Sequence, residues 1–429
     1  MGTFQVGLLL IGTFALLLAL SVPVSVSIII SSVVTMASTL SLDLGTFVAS
    51  QRMVGGVDSF SLLAVPFYIL CGVLMNTGGI AQKLIDFAKI LVGRIPGGLA
   101  HTNILGNTLF GSLSGSSVAI GGVLIPMEEK EGYDKKFAAA VNIASAPTGL
   151  IIPPSGILII YPVLAGCSVV GMIMSGYIPG LMWALACMVV AYVIAKKNHY
   201  PTAGKVPASV FFKYFVDAIP SLLLIVIIVG GVMSGIFTAT ESAAVAVAYT
   251  LFLSIVVYRS IKIKDLPKIL LDACETTAVI MFLIAGSNVM SFVMSFTGLP
   301  SAIGNALISV SSNKYVILLI INLVLLVVGC FMDITPAVLI FTPIFLPVVQ
   351  SFGMDPIHFG IMMVMNLGIG NITPPVGSAL FSGCSVADMD MEDMIKPILP
   401  FYAAIFVALM LVAYVPWFSM ALPTLFGAV

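Results

Sequence analysis

Charge is what this sequence has least of. Only 17 Lys and Arg and 18 Asp and Glu occur in 429 residues, 8% of the chain against 60% hydrophobic. A soluble fold needs a charged exterior that this composition cannot supply, so the chain reads as an all-α polytopic membrane protein. Net charge is −1 and basic patches are missing, which gives no footing for nucleic acid. No cation precedes Arg52, so the amino end lacks the charged region of a secretory signal, and its first apolar run reads as a retained span. No Gly-x-x-x-x-Gly-Lys-Ser/Thr loop occurs, so the chain carries no nucleotide motor of its own. The cysteines (Cys71, Cys167, Cys187, Cys274, Cys330, Cys384) sit in apolar runs without metal-type spacing and read as small hydrophobes.

What is abundant is apolar sequence in lengths that cross a bilayer, about 20 residues each. Such runs fall near 4–20, 22–42, 60–78, 137–165, 168–195, 214–235, 238–258, 269–297, 355–384 and 398–420. Residues 44–59 read as interfacial, and 79–97 as an amphipathic surface helix. Two further runs, 98–127 and 315–350, are broken at their middles by Ser-Leu-Ser-Gly-Ser-Ser and by Asp333-Ile-Thr-Pro336. These read as re-entrant helical hairpins, because open backbone at membrane depth survives only against protein or water. Glu128 to Lys136 reads as a charged loop. The basic segments 196–213 and 259–268 are separated by two spans, and the positive-inside rule makes their side cytoplasmic. Both termini are then expected in the periplasm, with Arg52 and Lys314 the only basic residues outside.

The sequence also repeats itself. At an offset of 221 residues Pro126 meets Pro347, Gly132 meets Gly353, Asp134 meets Asp355 and Gly149 meets Gly370. Pro153-Pro154 meets Pro374-Pro375, Gly156 meets Gly377, and Pro179 meets Pro400. Glycine and proline dictate backbone geometry, so shared spacing implies one supersecondary unit used twice. Five spans between the two hairpins make the repeats inverted. Inverted repeats with helices broken at corresponding positions mark secondary transporters that bind cargo where the repeats meet.

Each unit offers a hairpin tip and a broken helix. The first gives Ser112, Ser114, Gly115, Ser116, Ser145, Thr148 and Gly149; the second gives Asp333, Thr335, Asn366, Gly370, Asn371 and Thr373. The breaks fall at Pro153, Pro154, Pro374 and Pro375. Freed carbonyls with Ser, Thr and Asn oxygens suit a dehydrated Na⁺, and half-helix amino ends suit a carboxylate. The plainer alternative is that these hydroxyls close helix ends. For Asp333, ion contact and capping of the tip are both open. Glu241 reads as a helix amino-terminal carboxylate.

With tips and proline pairs in place, the chain resembles the large membrane subunit of tripartite ATP-independent periplasmic (TRAP) transporters over nearly its whole length. The resemblance rests on Gly111-Ser-Leu-Ser-Gly-Ser-Ser-Val-Ala, Ala146-Pro-Thr-Gly-Leu-Ile-Ile-Pro-Pro-Ser, Gly235-Ile-Phe-Thr-Ala-Thr-Glu-Ser-Ala and Asn371-Ile-Thr-Pro-Pro-Val-Gly. It implies an elevator mechanism, Na⁺-driven uptake across the bacterial inner membrane, a small membrane (Q) subunit and a periplasmic substrate-binding protein delivering an organic acid. The chain starts at the large-subunit part, so the small partner is expected as a separate polypeptide. The overall look is close to the sialic-acid branch, with dicarboxylates and sugar acids open. The expected division is scaffold at 1–97, 181–297 and 401–429, and transport repeats at 98–180 and 298–400. A Na⁺/H⁺ antiporter is the rival reading, though around the tips only Asp333 offers the carboxylate it needs. An intramembrane hydrolase using Ser114 or Ser116 is the remote alternative; it needs a base within hydrogen-bond reach, and the histidines fit poorly with the predicted depths.

Overall fold

The computed structural model describes residues 2–114, 120–153, 155–202, 207–311 and 313–429, with residues 81, 110–114, 208 and 308 described by backbone alone. Every regular element among them is helical. The chain opens with α1 (Thr3–Ala19), α2 (Val24–Thr39) and α3 (Leu42–Val57), then α4 (Ala64–Thr77) and α5 (Ile80–Val92). Next come α6 (Gly98–Ser114) and α7 (Gly121–Lys130), followed by α8 (Lys135–Ser145), α9 (Thr148–Ile151) and α10 (Ile157–Ala165). The middle is α11 (Val169–Ser175), α12 (Tyr177–Lys197), α13 (Ala208–Met233), α14 (Ala239–Phe252) and α15 (Leu266–Phe296). The second half runs α16 (Leu299–Val310), α17 (Lys314–Phe331), α18 (Ile334–Ser351), α19 (Pro356–Asn371), α20 (Ser378–Val386), α21 (Met391–Tyr414) and α22 (Trp417–Leu425).

Among the described residues, eight helical stretches are long and apolar enough to cross a membrane by length and composition. The chain is a multi-pass membrane protein. The 31 residues of α15, at a rise of about 1.5 Å each, extend roughly 46 Å and outrun a hydrocarbon core of about 30 Å. Both arms of the second hairpin, α17 and α18, have 18 residues and are themselves long enough to cross. A pair that crosses out and back leaves the topology of all later helices where a re-entrant pair would leave it.

The repeat is visible in local geometry. Gly132 and Gly353 follow α7 and α18 with φ of +90° and +79°, a left-handed turn that glycine adopts without steric cost. Asp134 and Asp355 then cap α8 and α19, each accepting from the backbone N–H two residues on, at 3.0 and 2.8 Å. Upstream, left-handed Gly79 and Gly298 head α5 and α16, with φ of +72° and +67°. Residues 299–310 were not expected to form a helix. They make a counterpart to the surface helix expected over 79–97, so each hairpin is preceded by a short arm.

The repeats pack through each other. Broken half α10 lies on α18 and α19, while its counterpart α20 lies on α7 and α8. The Tyr161 ring closes on Gly360, where an added Cβ would stand 2.3 Å from the ring, and Ile143 closes on Gly383 in the same way. Around these, α1, α2, α3, α4, α14 and α15 pack mainly on one another. Glu241 and Thr238 form the expected amino-terminal box on α14, with Thr238 N–H donating to Glu241 Oε2 at 2.8 Å and Glu241 N–H to Thr238 Oγ1 at 3.2 Å. One expectation fails: Glu128 is not in a loop. Helix α7 continues to Lys130 and places Glu128 fully buried, with the Asn103 carboxamide as its polar neighbour.

Candidate functional site

The entry arm of each hairpin is fastened to its broken helix by buried carboxamides. In the first repeat, Asn107 of α6 donates to Ser145 Oγ at 2.7 Å, and its amide also reaches the Asn142 carbonyl at 3.2 Å. Asn142 donates to Asn103 Oδ1 at 2.9 Å. Ser145 donates to the Val141 carbonyl at 2.7 Å, and Thr148 to the Ser145 carbonyl at 2.6 Å. Thr108 stands 3.3 Å from Thr148 Oγ1. All six side chains are buried. In the second repeat, Asn366 of α19 donates to Asn322 Oδ1 on α17 at 2.7 Å. Ser145 and Asn366 hold the same repeat position, 221 residues apart. An apolar environment makes such bonds necessary, since an unpaired amide there costs several kcal/mol.

Below these fasteners the helices break. Proline cannot donate its nitrogen, so the ladder stops at Pro153 and at the cis Pro374–Pro375 pair. Pro154 lies outside the described residues. Gly370 is where α19 meets α17: an added Cβ would come within 2.6 Å of Gly329 backbone atoms. Gly149 is buried in the short α9.

Asn371 closes α19 and accepts from Ser378 Oγ at 2.6 Å and from the Ala379 N–H at 3.3 Å. Ser378 Oγ also lies 3.2 Å from Asp333 Oδ1, to which Asn371 Nδ2 comes within 3.5 Å. Asp333 makes no side-chain cap to α18. Of the two open readings of Asp333, capping of its own helix is therefore absent. The exposed carboxylate instead faces the break of α19. Thr373 donates to the Ile369 carbonyl at 2.6 Å. Thr335 is partly buried in the first turn of α18.

Ser112 and Ser114 lie on the last turn of α6, where only the backbone is described. Gly115 and Ser116 lie outside the described residues. The structure thus brings Asp333 and Asn371 together at one break, and Ser145 and Thr148 together at the other. The two breaks meet where Pro147 touches Gly368: a Cβ there would lie 3.2 Å from Pro147 Cβ and 3.4 Å from the Trp183 ring.

Sequence reasoning passed over Asn103, Asn107, Thr108, Asn142, Asn322 and Ser378. A signal existed for the first two, since carboxamides four apart share one face of a helix. Asn322, alone in an apolar helix, needs a partner on a neighbouring helix for the same reason.

The oxygens present are hard donors of the kind Na⁺ takes. Asn107 Oδ1, Asn142 Oδ1, Ser155 Oγ and Asn366 Oδ1 are buried and without a partner among the described residues. The donor chemistry of the two units therefore fits a dehydrated monovalent cation.

Two hairpins and two interlocked broken helices define a transporter fold. It is shared with the YdaH transporter of Alcanivorax borkumensis, at a TM-score of 0.63 and 12% identity over 89% of this chain and 90% of that one. Residues 11–418 match the family "Tripartite ATP-independent periplasmic transporter, DctM component", and the chain belongs to that family. It is 50% identical to the uncharacterised protein YgiK of Salmonella typhimurium over 98% of each chain. It is 40% identical to the sialic acid TRAP transporter large permease protein SiaM of Vibrio cholerae over 96% of each.

Proposed function

We propose that this chain is the large membrane subunit of a Na⁺-coupled importer of an organic acid, assembled with a small membrane subunit and fed by a periplasmic binding protein. The observation that carries the proposal is the contact of two equivalent hairpin–broken-helix units at Pro147 and Gly368, each unit holding buried oxygens without a partner among the described residues. Family relatives are named for sialic acid, C4-dicarboxylates and 2,3-diketo-L-gulonate, all organic acids. Asn366, Thr373 and carbonyls freed at the second break would hold one cation. Ser145, Thr148 and the first tip would hold another. The amino ends of α10, α18 and α20 leave N–H groups for the acid's carboxylate. Movement of the interlocked hairpins and broken helices as one body past α4 and α15 is the elevator step of this reading. Each Na⁺ entering with the membrane potential supplies about 2.3 kcal/mol per 100 mV. The basic segments between the repeats orient the chain in the inner membrane with both ends periplasmic.

The test is uptake of N-acetylneuraminate and succinate into liposomes holding the chain, its small subunit and the binding protein. Dissipating the Na⁺ gradient should abolish accumulation; uptake that continues unchanged overturns the coupling. The antiporter reading gains one observation, the buried carboxyl of Glu128 on α7. Under that reading Glu128→Gln would abolish Na⁺-driven proton movement, whereas an organic-acid importer keeps substrate-dependent Na⁺ entry.

A further inference from the structure

Helices α3 and α15 flank an open cavity of about 710 Å³ whose lining includes none of the hairpin residues. Its walls are Gln51, Arg52, Asn288, Ser291, Phe292 and Ser295, a polar set on two otherwise apolar helices. The volume lies within the range of small-molecule sites, about 300–1,000 Å³.

The Arg52 guanidinium carbon lies 4.2 Å over the Phe292 ring. The guanidinium carries its N–H donors in a planar fork, the geometry that takes a carboxylate. None of the ion pairs among the described residues engages Arg52. Asn288 spends its amide donors on the Gly56 carbonyl at 3.3 Å and the Ile284 carbonyl at 2.9 Å. It therefore has only its oxygen left for the cavity, an acceptor for hydroxyl or amide hydrogens. Gly56 permits the arrangement, because an added Cβ would stand 2.4 Å from the Asn288 side chain. Ser291 and Ser295 follow one turn apart on α15 and add donors that can also accept.

We propose that this cavity is a carboxylate-binding site on the scaffold, separate from the candidate site between the hairpins. Arg52 takes the acid's carboxylate, while Asn288 and the two serines take its hydroxyl or amide groups. Its role as a station for incoming acid rests on the importer reading, in which Arg52 is one of two basic residues outside. The binding itself does not depend on that reading.

The experiment uses the full chain in nanodiscs without Na⁺. A cysteine at Ser295→Cys is labelled by a charged methanethiosulfonate, with exposed Cys274 as internal reference. Labelling is read by mass spectrometry in the presence of N-acetylneuraminate, succinate or gluconate. At least one acid should slow labelling at 295 and leave Cys274 unaffected. Adding Arg52→Gln should raise the concentration needed about tenfold or more, the worth of a charged hydrogen bond. In uptake assays, Arg52→Gln should raise KM and spare the maximal rate, whereas Asn366→Ala should shift Na⁺ dependence and leave protection at 295 intact. Absence of protection by all three acids overturns the proposal, as does protection that survives Arg52→Gln. Protection by phosphatidylglycerol but by none of the acids assigns the cavity to a lipid headgroup and overturns it too. Protection without uptake of any acid supports the cavity and overturns the importer reading alone.

Discussion

Pro147 and Gly368 touch, and they are the same position of the repeat, 221 residues apart. A position that meets its own copy lies beside a two-fold axis, as in any self-complementary contact. The axis therefore passes between the two breaks. Trp183 seals one side of this crossing and donates from Nε1 to the Ala144 carbonyl at 2.9 Å.

Gly368→Leu should wedge this crossing apart. Overpacking of a tight contact costs about 1–3 kcal/mol. Thermal unfolding in detergent should show a clear fall in Tm, with a smaller fall for Pro147→Ala.

Asn107→Ala and Asn366→Ala remove the fasteners of corresponding arms. Each leaves a buried group unpaired, at a cost of about 1–3 kcal/mol. Both should lower Tm in Na⁺-free buffer. A ligand at 100 times its Kd adds about 2.7 kcal/mol of stability. Asn366→Ala should lose most of the Tm rise that Na⁺ confers on the unaltered chain; an undiminished rise removes Asn366 from the cation site.

Asp333→Asn keeps an acceptor facing Ser378 but deletes the charge. The half-saturating Na⁺ concentration for uptake should rise about tenfold, equivalent to about 1.4 kcal/mol. An unchanged Na⁺ dependence would show that the carboxylate only orders the break.

Thr238→Ala supplies a contrast. The lost box at the head of α14 should cost about 1 kcal/mol and lower Tm, while KM for acid and for Na⁺ stays as it was.

The sequence exposes the parts of this fold that depend on backbone chemistry. Glycine and proline cannot be exchanged freely at Gly132, Gly353, Pro153 and Pro375, so their spacing survives as a readable ruler. The asparagine fasteners are harder to see, because Asn322 and Asn366 become partners only after two helices are laid together. Glu128 was misplaced since charge suggests a loop, and only the length of α7 shows the carboxyl carried inward. For Asp333, capping and ion contact look alike in sequence. The missing side-chain cap to α18 removes the first and leaves the second to the Asp333→Asn measurement.

The interlocking of α10 on α18 and α20 on α7 bears on how such a chain can be cut or assembled. Each half carries a surface shaped only for the other, so a fragment ending at Lys197 would present bare broken-helix faces to lipid. Expressed separately, the halves should be recovered as a pair or degraded. A half-length ancestor with this surface would have had to insert in both orientations and dimerise. The basic segments between the repeats are what a joined chain needs to settle on one.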